Sequence, residues 1–455
     1  MRNRTIPVLL TLAMTACAAE TQPAEETPVE TARQLWLRLE PTLPPRAWTI
    51  EKDAIVPSDT DPRQNLRRVE VKFYSQELDG VKWGHPCVVF MPADQKVRDT
   101  PPRRGKVVIV GQRSWDGLAT GPWRGAFLGN YGEPIAARTG YPTMICPVPG
   151  EDDETPGREV SIGILHDRFR RKGQDMIEHP HIRLAAIYLR AMDVMAGVLG
   201  IAPEEIRAVI GGHSKRATPA HAAAAMDPRV RGVVYMGNES AWTDAHLAGP
   251  QRAAFPPYAQ RWTDAEVLYI GGTNEDGYAM YDINRIVERM HPPWTVEMVP
   301  NYRHASQSEK HPLDWMMWVA HVFEGRPVTK IGGMRHEPAG ADFVWGGRKY
   351  GAGTLFRARI DSPNKIIQAK VWYVYNDDEP YWRDLVWYPE FMVPQEDGTW
   401  AALVTGKRPD AWLVEVKDIA GGFAGYVSSL PADITGTKVL RRVSRGSRSR
   451  HWAPQ

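Results

Sequence analysis

The chain has 455 residues, 43% of them apolar and 24% charged. That is ordinary globular usage, which excludes wholesale disorder and a collagen-like fibre. Its 56 basic and 54 acidic side chains leave a net charge of +2, and such a near-balance gives no reason to expect a nucleic-acid partner. At about 100–200 residues per domain the length allows two or three domains.

In chain order, residues 1–17 come first. A basic start (MRNR), a short apolar run (IPVLLTLAM) and small residues before Cys17 have the form of a secretory signal. The run is far shorter than the ~20 residues that span a bilayer. Met14-Thr15-Ala16-Cys17 resembles a bacterial lipobox, in which Cys17 would carry a lipid; cleavage without lipidation is the alternative. The expected location is therefore exported, in the periplasm or anchored to the outer membrane of a bacterium. Residues 18–66 read as an acidic tether followed by a helical and irregular lead-in. In the remaining chain Cys87 and Cys146 lie in apolar strand-like runs. An exported compartment permits a disulfide between them, and two buried free thiols are the other reading.

From residue 67 to 327 strand-like and helix-like segments alternate. RRVEVKFYSQ has the period of two of a strand, and KVVIVG, TMIC, IRAVIGG, RGVVYMGN, VLYIGG and TVEMVPN are continuous apolar runs separated by helical patterns. This alternation predicts an α/β domain with a mostly parallel sheet and helices on both faces. Beyond Pro327 the helices stop. Residues 328–436 hold short alternating segments parted by Gly, Pro, Asn and Asp, the pattern of an all-β, sandwich-like domain. Residues 437–455 form a basic tail containing Arg441, Arg442, Arg445, Arg448 and Arg450.

The segment with the most chemistry is Gly212-His213-Ser214-Lys215-Arg216-Ala217, where an apolar strand runs into an Ala-rich helical stretch. A serine on such a sharp strand-to-helix turn projects its Oγ above the sheet, and the turn needs small neighbours. Arg216 occupies the second Gly position of the common GxSxG pattern, so a plain Ser N-cap is the competing reading. The order of the later residues favours a nucleophile: α/β-hydrolases carry Ser, then an acid, then His, after successive strands. Here one strand ends at Thr273-Asn274-Glu275-Asp276 and the next at Tyr302-Arg303-His304. His304 is the expected general base and acid, and Asp276 the expected triad acid, with Glu275 and then Glu239 as alternatives. The expected oxyanion donors are the backbone N–H of Lys215 and one from Gln112 or Arg113, after KVVIVG. For Arg113 a salt bridge to the acidic segment 151–154 is the other reading. Of the 17 Trp residues, Trp115 and Trp123 are the candidate pocket walls and most of the others are expected in the core. His166, Asp167, His179 and His181 lack the ligand spacing of a metal site, so no metal and no cofactor are expected.

These residues together resemble the PhoPQ-activated pathogenicity-related protein family, a branch of the α/β-hydrolases. Ser214-Lys215-Arg216 is similar to that family's Ser-Lys-Arg-Gly elbow, with Ala217 in place of the Gly. Gly272-Thr273-Asn274-Glu275-Asp276 looks like its Gly-Thr-Asn-Asp acid loop with one residue shifted, and Pro300-Asn301-Tyr302-Arg303-His304 like its histidine loop, with Ala305 in place of a Ser. The serine followed by a basic residue is also similar to glucuronoyl and acetyl esterases. The resemblance, over residues 65–430, implies an α/β-hydrolase fold and a Ser–acid–His constellation without defining a substrate. The expected activity is a serine carboxylesterase acting on a small-molecule or glycan-linked ester, with a membrane contact through the lipid anchor. The alternatives are a degenerate, non-catalytic surface binding protein and a peptide or amide hydrolase.

Overall fold

The computed structural model describes residues 31–101, 103–112, 131–155, 157–237, 264–275, 282–287, 294–304, 308–375 and 384–434. The central sheet is built from β1 (Trp48–Pro57), β2 (Asn65–Leu78), β3 (Val81–Pro92), β4 (Lys106–Gln112), β5 (Thr143–Pro147), β6 (Glu151–Asp152), β7 (Arg207–His213), β8 (Val230–Met236), β9 (Glu266–Gly272) and β10 (Thr295–Val299). Its order is β1-β2-β3-β5-β4-β7-β8-β9-β10, with β6 pairing β3. The strands from β5 to β10 run parallel, while β1, β2 and β3 join antiparallel at one side.

Alternation along the apolar strands explains why both faces are covered. In β4, Val107 and Ile109 enter one core, with the long helix Pro180–Leu199, while Val108 and Val110 enter a second, with the helix Lys310–Glu324. A strand buried on both faces has no polar side to show, hence KVVIV. The helix Pro180–Leu199 is buried nearly all round because the helix Ala217–Met226 and the strands β2 and β4 pack against it.

The C-terminal part comprises β11 (Lys330–Ala339), β12 (Phe343–Trp345), β13 (Arg348–Tyr350), β14 (Gly353–Asp361), β15 (Lys365–Val374), β16 (Trp387–Phe391), β17 (Val393–Pro394), β18 (Trp400–Thr405), β19 (Ala411–Ala420), β20 (Phe423–Ser428) and β21 (Ala432–Asp433). Two antiparallel sheets, β11-β14-β18-β17 and β16-β15-β19-β20 with β21 on β19, face each other across Phe356, Ala358, Val371, Ala402, Val414 and Val416. This sandwich shares its core with the α/β part. Trp315, Met316, Met317 and Trp318 of the helix Lys310–Glu324 are buried, and a Cβ added at Gly425 of β20 would lie 2.4 Å from Met317 Sδ.

One feature differs from expectation, and one open choice is decided. The lead-in before residue 67 contains the strand β1 as well as a helix. As an edge strand it is mostly exposed and carries Glu51, Lys52 and Asp53, so it lacks an apolar run. Cys87 and Cys146 are buried free thiols on the neighbouring strands β3 and β5.

Candidate active site

Ser214 sits where β7 ends, before the helix Ala217–Met226. Its φ is +60°, a left-handed value that costs a non-glycine residue about 1–3 kcal/mol and persists only where the surroundings impose it. The surroundings are visible. The Ser214 N–H donates to Gly237 O at 3.0 Å. The Tyr188 hydroxyl, from the long helix, donates to the carbonyls of Gly211 (3.2 Å) and Arg216 (2.9 Å), before and after the turn. Tyr188 can reach this position because two neighbours lack a Cβ: one at Gly111 would lie 1.9 Å from its Oη, and one at Gly212 would lie 2.9 Å from that Oη and 2.7 Å from Arg216 Cβ. Arg216 itself has φ −100°. The turn therefore makes no conformational demand for glycine at this position, which is why the broken GxSxG pattern still folds as an elbow.

His304 Nε2 lies 2.8 Å from Ser214 Oγ. The residue follows β10, and its side chain remains partly open to solvent. On the other side of the ring, Nδ1 is in contact with Oε1 of Glu275, which follows β9 and is almost completely buried. Among the described residues Glu275, an alternative acid of the sequence reading, thus places a carboxylate against the imidazole. Asp276 and Glu239 lie outside the described residues, as do Arg113, Cys17, Trp115 and Trp123. The histidine loop passes tightly over the acid loop: a Cβ at Gly272 would come within 2.0 Å of Tyr302 O.

Two neighbours complete the electrostatics. His213, whose ring centroid is 4.5 Å from that of His304, is half-buried, and its desolvation, with His304 and Arg216 nearby, holds its pKa well below the ordinary histidine range. It is therefore neutral near pH 7 and adds no charge against an imidazolium at residue 304. Glu159 gathers the basic side chains after the serine: its carboxylate contacts Lys215 Nζ and lies 2.8 Å from an Arg216 guanidinium nitrogen. Gln112, at the end of β4, is buried, and its side-chain Nε2 has no hydrogen-bond partner among the described residues. In the 151–154 segment, Asp153 pairs with Lys72 at 2.8 Å. Among the described residues no group of three or more His, Cys, Asp or Glu could hold a metal.

Glu159 and Tyr188 were not legible as site residues. Tyr188 is one apolar-face residue among many in an apolar helix, and Glu159 stands in an irregular acidic stretch. Only the fold brings either to the elbow.

A nucleophile-type elbow after β7, a carboxylate after β9 and a histidine after β10, on a mixed but mostly parallel sheet, define an α/β-hydrolase-type fold. Neither a family model nor a curated protein sequence matches the chain. Among solved structures it is similar to acetyl xylan esterase 1 from Thermoanaerobacterium sp. JW/SL YS485, at 14% identity and a TM-score of 0.41, over 64% of this chain and 93% of that one. It is similar to an acetyl xylan esterase from Paenibacillus sp. R4 at 16% identity and a TM-score of 0.40, over 60% and 87%. A glucuronoyl esterase from Solibacter usitatus gives 10% identity and a TM-score of 0.41, over 61% and 86%.

Proposed function

We propose that the protein is a serine hydrolase that cleaves a carboxylic ester through an acyl-Ser214 intermediate. The observation that supports this most is the alignment of Ser214 Oγ, the His304 ring and the Glu275 carboxylate, each at the end of a different element. In this reading His304 Nε2 takes the Ser214 proton as Oγ attacks the ester carbonyl, then returns it to the leaving alcohol. Glu275 fixes the Nδ1–H tautomer and stabilises the imidazolium. The backbone N–H of Lys215 and one from Gln112 or Arg113 receive the oxyanion. Water, deprotonated by the same imidazole, releases the acid. The resemblance to the PhoPQ-activated pathogenicity-related family supports the assignment of Ser214 and His304. The signal-like residues 1–17 support an exported enzyme, anchored through Cys17 and acting on a glycan-linked or other cell-envelope ester.

Labelling with a fluorophosphonate probe tests the chemistry. Wild type should label, and Ser214→Ala and His304→Ala should not; labelling that survives both substitutions overturns the assignment. Incorporation of labelled palmitate into wild type but not into Cys17→Ala tests the anchor.

A further inference from the structure

The loops carrying Glu275 and His304 are held by the sandwich domain. The Asn274 side-chain amide donates to Leu385 O at 2.6 Å. Asn301 grips the Trp387 backbone at both ends: Nδ2 donates to Trp387 O at 2.8 Å, and Oδ1 accepts from Trp387 N at 2.7 Å. The two asparagines are also joined to each other through Thr273, whose Oγ1 donates to Asn274 Oδ1 at 2.7 Å and accepts from Asn301 N at 2.9 Å. Asn301 has φ +57°, so its loop is bent where a small side chain with two-sided hydrogen bonding is at an advantage. Leu385 and Trp387 are buried, which keeps water from competing for these bonds. Arg303 and Asp384, 2.8 Å apart and about a third exposed, close the outer rim; an exposed pair of this kind contributes little.

We infer that Asn274 and Asn301 are positioning residues, through which the start of β16 sets the distance between Glu275, His304 and Ser214. Asn274 immediately precedes the carboxylate, and Asn301 lies three residues before the imidazole. The sandwich domain is then part of the catalytic apparatus through these contacts. This inference rests on the proposed triad.

The test uses the full chain, 4-nitrophenyl acetate as substrate, and the proton NMR signal of the His304 Nδ1–H facing Glu275, assigned by its loss in His304→Gln. Asn301→Gly is the informative variant because glycine tolerates the positive φ and removes only the clasp. The expected result is a kcat lower by roughly ten- to a hundred-fold with KM within about two-fold, since small misplacement of a catalytic group has effects of that order, and a downfield signal shifted or broadened away. Arg335→Ala, in an exposed pair of the same domain, should change neither. If Asn301→Gly does not fold, as judged by circular dichroism, Asn274→Asp is read the same way; it keeps the Thr273 contact and loses the donor to Leu385. A wild-type kcat and an unmoved downfield signal in the folded variant overturn the inference. Absence of hydrolysis in wild type would sink the proposed activity alone, and the NMR signal would still decide the clasp.

Discussion

Among the described residues, two serine hydroxyls meet a histidine Nε2 at nearly the same distance. Ser214 Oγ is 2.8 Å from His304 Nε2, and Ser75 Oγ is 2.7 Å from His85 Nε2. Everything around them differs. Ser75 lies within β2, and both it and His85 are sealed from solvent. His85 Nδ1 faces the neutral carbonyl of Pro147 at 2.8 Å, and burial pushes its pKa down to about 4. Ser214 is lifted on a left-handed turn, and its partner ring is half-open and backed by a carboxylate. A serine–histidine contact is thus a packing motif until three conditions are added: a charge behind the ring, a backbone that projects the hydroxyl, and access for a substrate.

Substitutions can break that contrast. The largest effect is expected from Ser214→Ala, which should lower ester hydrolysis by at least about 10⁴-fold, measured by steady-state kinetics; an active variant would show that the contact is not the reactive one. Glu275→Gln should follow, at roughly 10³–10⁴-fold in kcat, because the amide cannot stabilise the imidazolium. Retained activity there would move the acid role to another residue. Ser75→Ala should leave kcat within about two-fold but cost about 1–3 kcal/mol of stability in urea unfolding, the range for a buried polar atom left without its partner. Tyr188→Phe should be milder still, about 1 kcal/mol for hydroxyl bonds that hold the elbow, with a few-fold loss of kcat. A kcat loss without a stability loss would mean that Tyr188 acts otherwise than as a strut.

The contrast also has a pH signature. His85 is held neutral in the fold, at about 4, while an unfolded histidine titrates near ~6.5. Between those values the unfolded chain binds the extra proton, so stability is complete above about pH 6.5 and is lost as pH falls toward 4. His213 and the buried His311, also depressed by desolvation, add in the same direction. Urea midpoints measured from pH 7 to pH 4 should fall, and His85→Gln should flatten the slope; an unchanged slope would remove His85 from the account.

Much of the fold was legible because the strands of a doubly covered sheet are written as continuous apolar runs; the ends of β4, β7 and β9 are marked by Gly followed by polar residues, and that of β10 by Pro300-Asn301. Strand β1 was hidden because an exposed edge strand carries charges where a buried one carries Val and Ile. That Glu275 meets the imidazole could not be read locally: the loop before it is set with the help of Asn274 and a carbonyl 111 residues away. Tyr188, Glu159 and the 384–387 segment escaped notice for the same reason: their roles are contacts between elements, and no sequence period records those.

The hydrogen bonds from Asn274 and Asn301 to residues 385 and 387 bear on how this gene could be shortened or recombined. An apparent boundary near Pro327 invites excision of a compact hydrolase. Yet the helix Lys310–Glu324 would be stripped of its cover, and both loops at the reaction rim would lose their outer wall. Fusion and chimera designs should therefore cut outside residue 434, treating the two halves as one indivisible working unit.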